Sequence, residues 1–567
     1  MKLLSIKTIR AVFLLLISVA SLSVKAQSDP TGQSAVTRTF AITNATVVQA
    51  PGKEIKEATV VIKNGLIEAV GTNLTIPNNA QVIDGKGMYV YSAFIDGLAY
   101  TGSKRPENVA RPNNLFSPDP PNDYAGITPE NSVLAQIDIS SSTIGNMRKE
   151  GFAISHTVPY GRMLPGSGAL ILLGDKSHAD EIMLMNDVSM FTQFAGAPGA
   201  YPGNVLGIMA KWRNLYRNAE NNKKHYDAYT ENPSGIERPE RDRVTEAFFP
   251  VVTKQRPVVF DVAGVLEVQR AMSLQKDLGF KLIVGNVQQA WDIAPMLKNN
   301  GTGVFLSLDM PDMPKEAKGK DLEAMTEETK QLEARKMEFW KKYASQAAVL
   351  SAAGVKFGFS SLDATGNKIK ANLMTMIENG LNESDALAAL TINAASLLGI
   401  DKIAGTVEKG KTANLMVSNA PFFTKDAQIR YMFVDGDKYD LEIKEKKEAG
   451  KGNASEGSAA GAAAVVGSWT YSFETPQGET TGKMIIKNEG GTLTGSMTSG
   501  DGSGDVDMQD VTFVNGVLTF SISRDGGGQS IELVISGTVT GKTYNAEVTV
   551  SAFNFSTPLT ATKDDGQ

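Results

Sequence analysis

The most informative absence in this sequence is that of metal-binding and nucleophilic side chains. The 567 residues include no cysteine and only three histidines, His156, His178 and His225. Without cysteine, the chain has no disulfide, no thiolate metal site, no iron–sulfur cluster and no cysteine nucleophile. A metal site that takes four histidine ligands cannot be built from three. The net charge of −6 leaves no basic surplus to neutralise phosphates, so we expect no nucleic-acid partner.

The N-terminal segment is predicted to be an export signal. A positively charged region precedes the short apolar stretch 11–22, and small residues follow up to Ala26. The stretch is shorter than the roughly 20 residues that span a bilayer, so we expect cleavage near Ala26 rather than a membrane anchor. The sequence therefore predicts a signal peptide over 1–26, a flexible polar leader over 27–38 and no transmembrane segment after cleavage. It also predicts a periplasmic or extracellular location.

The remaining residues predict an α/β protein with an additional all-β domain. Short β-rich runs separated by turn residues cover 39–92 and return over 403–441, which indicates a composite β-sandwich. Between them, over 93–402, apolar strands alternate with amphipathic helices, a pattern typical of a (β/α)₈ TIM-type barrel. A charged, then Gly/Ala/Ser-rich stretch over 442–465 is predicted to be a linker. Alternating strands with glycine turns over 466–567 predict an all-β sandwich or small barrel.

Three segments resemble the amidohydrolase superfamily, in particular its exported imidazolonepropionase-like members. Residues 58–100 are similar to the family's N-terminal half-sandwich and first barrel strand. Residues 386–423 are similar to its last helix and returning strands, and 151–175 to barrel strand two with its loop. The resemblance covers about residues 40–440. It implies a barrel between two halves of a sandwich, and hydrolysis of C–N bonds by water activated on zinc or another divalent metal.

The positions that match the family's metal ligands hold other residues. The resemblance places the His-x-His pair of strand one at Leu98 and Tyr100, and the strand-five histidine near Asp261. It places the strand-six histidine near Val284 and the strand-eight aspartate at Leu362. Leucine and valine cannot ligate a metal, and a neutral tyrosine is a poor zinc ligand. We therefore predict no metal and no other cofactor.

A polar pocket is nevertheless expected at the carboxyl ends of the barrel strands, where barrel enzymes carry their sites. The candidate pocket residues are Tyr100, His156, Asp261, Asn286 and Asp363, with Tyr160 and Asp309 as further polar residues at the same end. A histidine with carboxylates could perform metal-free acid–base chemistry. The favoured interpretation is that these groups fill the place of the metal and bond to one another. His178 and His225 lie in polar runs and are expected at the surface.

Three functional hypotheses follow from these residues. The first is a catalytically silent family member that binds a small molecule at the barrel mouth or pairs with an active paralogue. The second is a hydrolase of non-peptide C–N bonds with an altered or metal-independent site. The third is a periplasmic or surface interaction protein that makes contact through its C-terminal β domain. No catalytic residue is assigned from the sequence.

Overall fold

The computed structural model divides into two compact units, Met1–Ile443 and Lys444–Gln567. It describes residues 38–441 and 465–564, apart from 108, 315–324, 365, 476–477, 490–491, 499–504, 515, 527–528 and 551–554. The predicted signal peptide, nearly all of the leader and nearly all of the linker lie outside the described residues. Within the described part of the chain, no helix is long and apolar enough to cross a membrane.

The strands of the first unit form two sheets of eight strands each. In chain order they are β1 (Thr39–Ala50), β2 (Lys53–Lys63), β3 (Leu66–Gly71), β4 (Gln81–Asp84), β5 (Tyr89–Ser92), β6 (Phe94–Ala99), β7 (Phe152–Thr157), β8 (Gly166–Leu172), β9 (Met183–Gln193), β10 (Val258–Asp261), β11 (Leu282–Val287), β12 (Gly303–Ser307), β13 (Phe357–Ser360), β14 (Leu415–Ser418), β15 (Ile429–Val434) and β16 (Asp437–Asp440).

The described α-helices of this unit mostly follow the barrel strands. In chain order they are α1 (Asn122–Ala125), α2 (Ser142–Lys149), α3 (Ala179–Ile182), α4 (Val205–Glu231), α5 (Arg243–Ala247), α6 (Phe249–Val252), α7 (Val265–Leu278), α8 (Ala294–Asn300), α9 (Glu327–Ala352), α10 (Gly366–Glu378), α11 (Glu383–Leu390) and α12 (Ile392–Leu398). Short 3₁₀ helices cover Val133–Gln136 and Trp291–Ile293.

The first sheet is assembled from both ends of the unit. β1 pairs antiparallel with β2 and parallel with β4 and β5. β5 then pairs antiparallel with β14, so that Ser92 lies opposite Leu415 and Tyr89 opposite Ser418. One face buries an apolar cluster that includes Phe40, Ile42, Val60, Ile62, Val90, Leu415, Val417 and Phe433. Neither end of the unit can form this sheet or its core without the other.

The second sheet is the barrel, in the strand order β6 to β13. Every strand runs in the same direction except β8, which pairs antiparallel with both β7 and β9. The reason is the length of the connections. β7 ends at Thr157 and β8 begins at Gly166, a gap too short for the parallel crossover, which needs about a dozen residues or more. The predicted fold class is confirmed, with this one strand reversed.

Side chains join the first and last barrel strands. The Ser360 hydroxyl donates to the Leu98 carbonyl oxygen at 2.8 Å. The Ser361 backbone N–H donates to the Asp96 carboxylate at 3.1 Å, and the Ser361 hydroxyl makes a further bond to the same carboxylate. Gly97 leaves room beside this seam for the Phe305 ring, which a Cβ at that position would overlap. The seam brings the carboxyl ends of β6 and β13 together at the mouth.

The strands described in the second unit all pair antiparallel, which confirms the all-β prediction for this region. Its sheet order is β20-β19-β18-β17-β25-β24-β23-β22-β21. The strands are β17 (Gly467–Thr475), β18 (Gly478–Glu489), β19 (Thr492–Thr498), β20 (Asp505–Asp507), β21 (Gln509–Val514), β22 (Val517–Gly526), β23 (Gln529–Thr540), β24 (Thr543–Val550) and β25 (Phe555–Lys563). Its apolar core includes Trp469, Tyr471, Met484, Phe520, Ile535 and Tyr544.

Candidate functional site

Three of the predicted pocket residues meet at the barrel mouth. Asp261 is the last residue of β10, Asn286 lies near the end of β11, and Asp363 follows β13. The Asn286 side-chain Nδ2 donates to Asp363 Oδ2 at 2.6 Å and to Asp261 Oδ1 at 3.4 Å. Because one amide nitrogen contacts both carboxyl groups, the two acids lie beside each other. The three side chains form a carboxyl–amide–carboxyl cluster.

The backbone and the side chain of Asn286 adopt an energetically unfavourable conformation. Its backbone φ is 56°, in the left-handed region, and its side chain is almost completely buried. Its Oδ1 is a buried acceptor that has no hydrogen-bond partner among the described residues. A strained non-glycine backbone costs about 1–3 kcal/mol, and an unsatisfied buried polar group about the same. Costs of this kind are concentrated at functional sites, where the surrounding structure maintains them.

The carboxyl groups at the mouth resist ionisation. Burial raises the pKa of Asp261 to about 7, and the neighbouring Asp363 carboxylate raises it further against the hydrogen bond from Asn286. Burial, with the charge of Asp363 second, also raises the pKa of Asp309 above its usual range. An acid whose pKa lies near neutrality can exchange a proton under ordinary conditions. The mouth therefore holds, in Asp261, a group that changes charge close to physiological pH.

Two stacked tyrosines form a wall of the mouth. The Tyr100 and Tyr160 rings lie 3.8 Å apart between centroids, with an interplanar angle of 12°. The Arg105 guanidinium lies over the Tyr160 ring, 4.8 Å from its centroid. Burial, and next the charge of Asp261, raises the pKa of Tyr100, so its hydroxyl stays protonated. Both rings and Arg105 line a cavity of about 490 Å³.

His156 has a different environment from the acidic cluster. Its side chain is fully buried on β7, where Nδ1 donates to the Gly97 carbonyl oxygen at 2.8 Å. Nε2 lies 2.8 Å from the Ser189 hydroxyl, from which the neutral ring accepts. Burial lowers the pKa of His156 to about 4. The neutral, doubly bonded ring links three barrel strands, and its hydrogen-bond partners include no carboxylate.

The other two histidines lie outside the barrel interior. His178 is exposed and precedes helix α3, at whose N-terminus it takes part in a capping box. His225 is half-buried on α4, with Nε2 2.8 Å from the Glu237 carbonyl oxygen. Each occupies a local structural position at the surface of the first unit.

The donor set at the family's ligand positions does not fit a zinc site. Leu98 and Val284 are completely buried, and Leu362 is half-buried. The Leu98 side chain lies against Gly285, where a Cβ would come within 2.5 Å of it. Among the described residues, no group of three or more histidines or acids is placed to hold a metal ion. Apolar side chains thus stand at three of the predicted ligand positions.

Asp96 is a buried acid whose role the sequence did not reveal. It is fully buried and accepts hydrogen bonds from Ser361, through the backbone N–H and the hydroxyl, and from the Leu98 backbone N–H. Burial raises its pKa to about 7 against these bonds. In the sequence, only the spacing of Asp96 indicated that it faces the barrel interior. It lies two residues before Leu98 and four before Tyr100, and a strand places residues at this spacing on one face.

Comparisons with known proteins agree with this fold. The model of the amidohydrolase family matches residues 292–438, from the helical segment before β12 to the returning strand β16. No curated protein matches the sequence. An amidohydrolase from Thermotoga maritima MSB8 is 20% identical, covers 71% of this chain and 100% of its own, and gives a TM-score of 0.57.

A second solved structure, a putative prolidase from Bifidobacterium longum, is 16% identical over 72% of this chain and 97% of its own. Its TM-score of 0.44 is too low to support an argument. The Thermotoga structure shows the fold, and the family model adds a sequence match over the last two barrel strands, β12 and β13, and the returning strands up to β16. The resemblance of this chain to the amidohydrolase superfamily is therefore confirmed.

Proposed function

We propose that this chain binds a small molecule at its barrel mouth and does not perform the metal-dependent C–N hydrolysis of the amidohydrolase superfamily. One observation carries the proposal. Leu98 and Val284, which stand at predicted ligand positions, are buried apolar side chains, while Asp261, Asn286 and Asp363 form a connected polar cluster. An apolar side chain at a ligand position removes the ligand and also fills space.

The geometry of the mouth supports ligand binding. The cavity beside Tyr100 and Tyr160 has a volume of about 490 Å³, which is within the usual range for small-molecule sites. Stacked tyrosine rings offer a flat apolar surface, and Arg105 offers a charged group at its edge. The strain and unsatisfied acceptor of Asn286 are the kind of cost that a binding site maintains.

A metal-independent hydrolase is the second candidate, favoured by one observation. Asp261 has a pKa of about 7 and lies beside Asp363, so the pair could supply one acid and one base at neutral pH. In this hypothesis Asp363 would accept a proton from water while Asp261 protonates the leaving nitrogen. No metal takes part in either step.

Metal content and turnover test the two candidates together. The purified full-length chain is assayed for bound metal and for hydrolysis of amides and lactones, with and without added zinc. We expect less than stoichiometric metal and no stimulation by zinc. Stoichiometric zinc, with turnover that is lost when the zinc is removed and regained when it is restored, would overturn the first proposal.

Variants distinguish metal-independent turnover by this chain from turnover by a contaminating hydrolase. Turnover without metal that disappears in Asp363→Asn and in Asp261→Asn would support it. Asp401→Asn is the matched control, because Asp401 is exposed and belongs to the loop after α12. Activity that persists unchanged in both mouth variants would belong to another protein.

Export and partner binding complete the proposal. The N-terminal sequence supports secretion to the periplasm or the medium, and the all-β second unit supports contact with a partner, including an active paralogue. Cell fractionation of the protein with and without residues 1–26 tests the location. Capture experiments with and without residues 466–567 test the contact. Retention in the cytoplasm by the full chain would contradict export.

A further inference from the structure

A second cavity lies at the opposite end of the barrel from the mouth. Its volume is about 1020 Å³. It is lined by the residues at which the barrel strands begin, including Pro257, Leu282, Gly303 and Lys356. Parallel strands that begin together define the floor of a barrel, as their ends define its mouth. This floor cavity shares no lining residue with the cavity beside Tyr100.

The pairing of β9 with the reversed strand β8 gives the floor cavity a wall on one side. Met190 of β9 pairs with Val258, the first residue of β10. The earlier part of β9 therefore extends past the floor, where its partner is β8. Residues 185–189 of this overhang line the cavity. The antiparallel β8–β9 ribbon thus forms a wall that an all-parallel barrel would lack.

Four lysines surround the floor cavity, namely Lys254, Lys281, Lys298 and Lys356, and all are exposed. None of the four forms a salt bridge within the described part of the chain. The only acid in the lining, Asp187, is already 3.5 Å from Arg256. The floor is therefore positively charged in a chain whose net charge is −6.

The C-terminal ends of four helices offset part of this positive charge. Helices α7, α8, α9 and α12 all end at the cavity, near Gly279, Gly301, Gly354 and Gly399 respectively. The C-terminus of a helix carries roughly half a negative charge, so four of them balance about two lysines. Lys298 illustrates this, because its Nζ donates to the Gly354 carbonyl oxygen at 2.6 Å. A surplus of about two positive charges remains.

The contacts of the four lysines show which two ammonium groups lack a partner. Lys356 Nζ donates to the Ser396 hydroxyl at 3.1 Å, and Lys298 is occupied by the helix end. The side-chain ammonium groups of Lys254 and Lys281 have no hydrogen-bond or ion-pair partner among the described residues. Their charges are thus available to a ligand in the cavity.

We propose that the floor cavity binds a small organic dianion, a dicarboxylate or a phosphate monoester, through Lys254 and Lys281. The cavity has room for such a molecule, since small-molecule sites span about 300–1,000 Å³. Its surplus charge matches two negative charges. The site goes beyond the function proposed for the mouth and does not depend on it.

Binding measurements on the full chain test this site. Inorganic phosphate, succinate and acetate are titrated by calorimetry at constant ionic strength. We expect one dianion per chain, and affinity for acetate lower by about tenfold or more, as expected for loss of one charged contact. A comparison of the affinities for phosphate and for succinate identifies the type of anion that the site prefers.

Paired substitutions locate the binding. The double variant K254Q/K281Q should weaken dianion binding by about tenfold or more. The charge-matched control K402Q/K409Q removes two exposed lysines that do not line the cavity, and K254R/K281R keeps both charges. Both should bind as the original chain does.

Three outcomes would overturn the proposal. One is the absence of dianion binding by the unaltered chain. Another is an equal loss in the charge-matched control, which would indicate binding to net charge alone. The third is unchanged binding in K254Q/K281Q with a loss in Arg105→Gln, which would place the anion at the mouth, where Arg105 lines the cavity. Circular dichroism of each variant verifies that it is folded.

Discussion

The two ends of the barrel differ in how they carry charge. At the mouth, Asp261 and Asp309 are half-buried, and burial raises the pKa of both. At the floor, Lys254 and Lys281 are exposed to water. Burial penalises the charged form of a carboxyl group. The mouth is therefore a site whose charge depends on pH, and the floor is a solvent-exposed group of basic side chains.

The largest expected effect comes from replacing His156. This substitution tests whether the ring takes part in chemistry at the mouth or stabilises the fold. His156→Ala removes a buried ring and leaves the Gly97 carbonyl and the Ser189 hydroxyl without their partner. We expect a loss of about 3 kcal/mol or more in the free energy of unfolding, measured with denaturant. Ser189→Ala, which removes one bond and little volume, should cost about 1 kcal/mol. A stable His156→Ala variant would show that the ring is dispensable to the fold.

A pH titration sharpens the contrast between the two ends. The pKa of Asp261 is about 7 in the folded chain against an ordinary value of 3.8. A raised acid pKa stabilises the fold below about pH 4, and this contribution is lost as pH rises to 7, by about 1.4 kcal/mol per pKa unit at most. Asp261→Asn should remove this dependence. The lowered pKa of His156 acts in the opposite sense, so the difference between variant and unaltered chain is the quantity to measure.

The same titration has a control at the other end. K254Q/K281Q should leave the dependence of unfolding free energy on pH between 4 and 7 unchanged, because neither lysine is among the groups that shift the pKa of Asp261 or of His156. If Asp261→Asn and K254Q/K281Q both gave the same pH profile as the unaltered chain, the distinction between a titrating mouth and the floor would fail.

Helix ends at the floor offer a smaller effect. Gly399 has a φ of 74° at the end of α12, and nothing lies within 4 Å of the position of an added Cβ. Gly399→Ala should therefore cost only the backbone strain, about 1 kcal/mol in unfolding free energy. Denaturant unfolding measures it. A loss several times larger would mean that the floor is packed more tightly than its open cavity indicates.

The smallest expected effect concerns stability at the floor itself. K254Q/K281Q should change the unfolding free energy by no more than about 0.5 kcal/mol, since exposed side chains without partners contribute little. A slight gain is expected at low salt, because like charges that line one cavity repel. Thermal unfolding at two salt concentrations measures both. A marked loss of stability would indicate that the lysines hold the floor together.

Much of the fold could be predicted from the sequence. The alternation of apolar strands and amphipathic helices indicates the barrel, and the β-rich runs at both ends indicate the composite sheet. These patterns depend on local periodicity, which survives in a single sequence.

Other features depend on tertiary contacts that no local pattern contains. The sequence of β8 predicts an apolar strand but does not give its direction. Only the short gap before Gly166 indicates that the strand is reversed. The strained Asn286 is determined by Asp261 and Asp363, which come from other strands. The floor lysines Lys254 and Lys356 are about a hundred residues apart and meet only because the barrel closes.

The sheet built from both ends of the first unit has a consequence for biosynthesis. The edge of β5 at Tyr89–Ser92 finds its partner β14 only after more than 300 further residues have been made. At about 5–20 residues per second, this delay is roughly 15 to 65 seconds. An unpaired strand edge is a template for association with other chains throughout that time. Because β5 is only four residues long, the exposed edge is short, and the risk to the nascent chain is kept small.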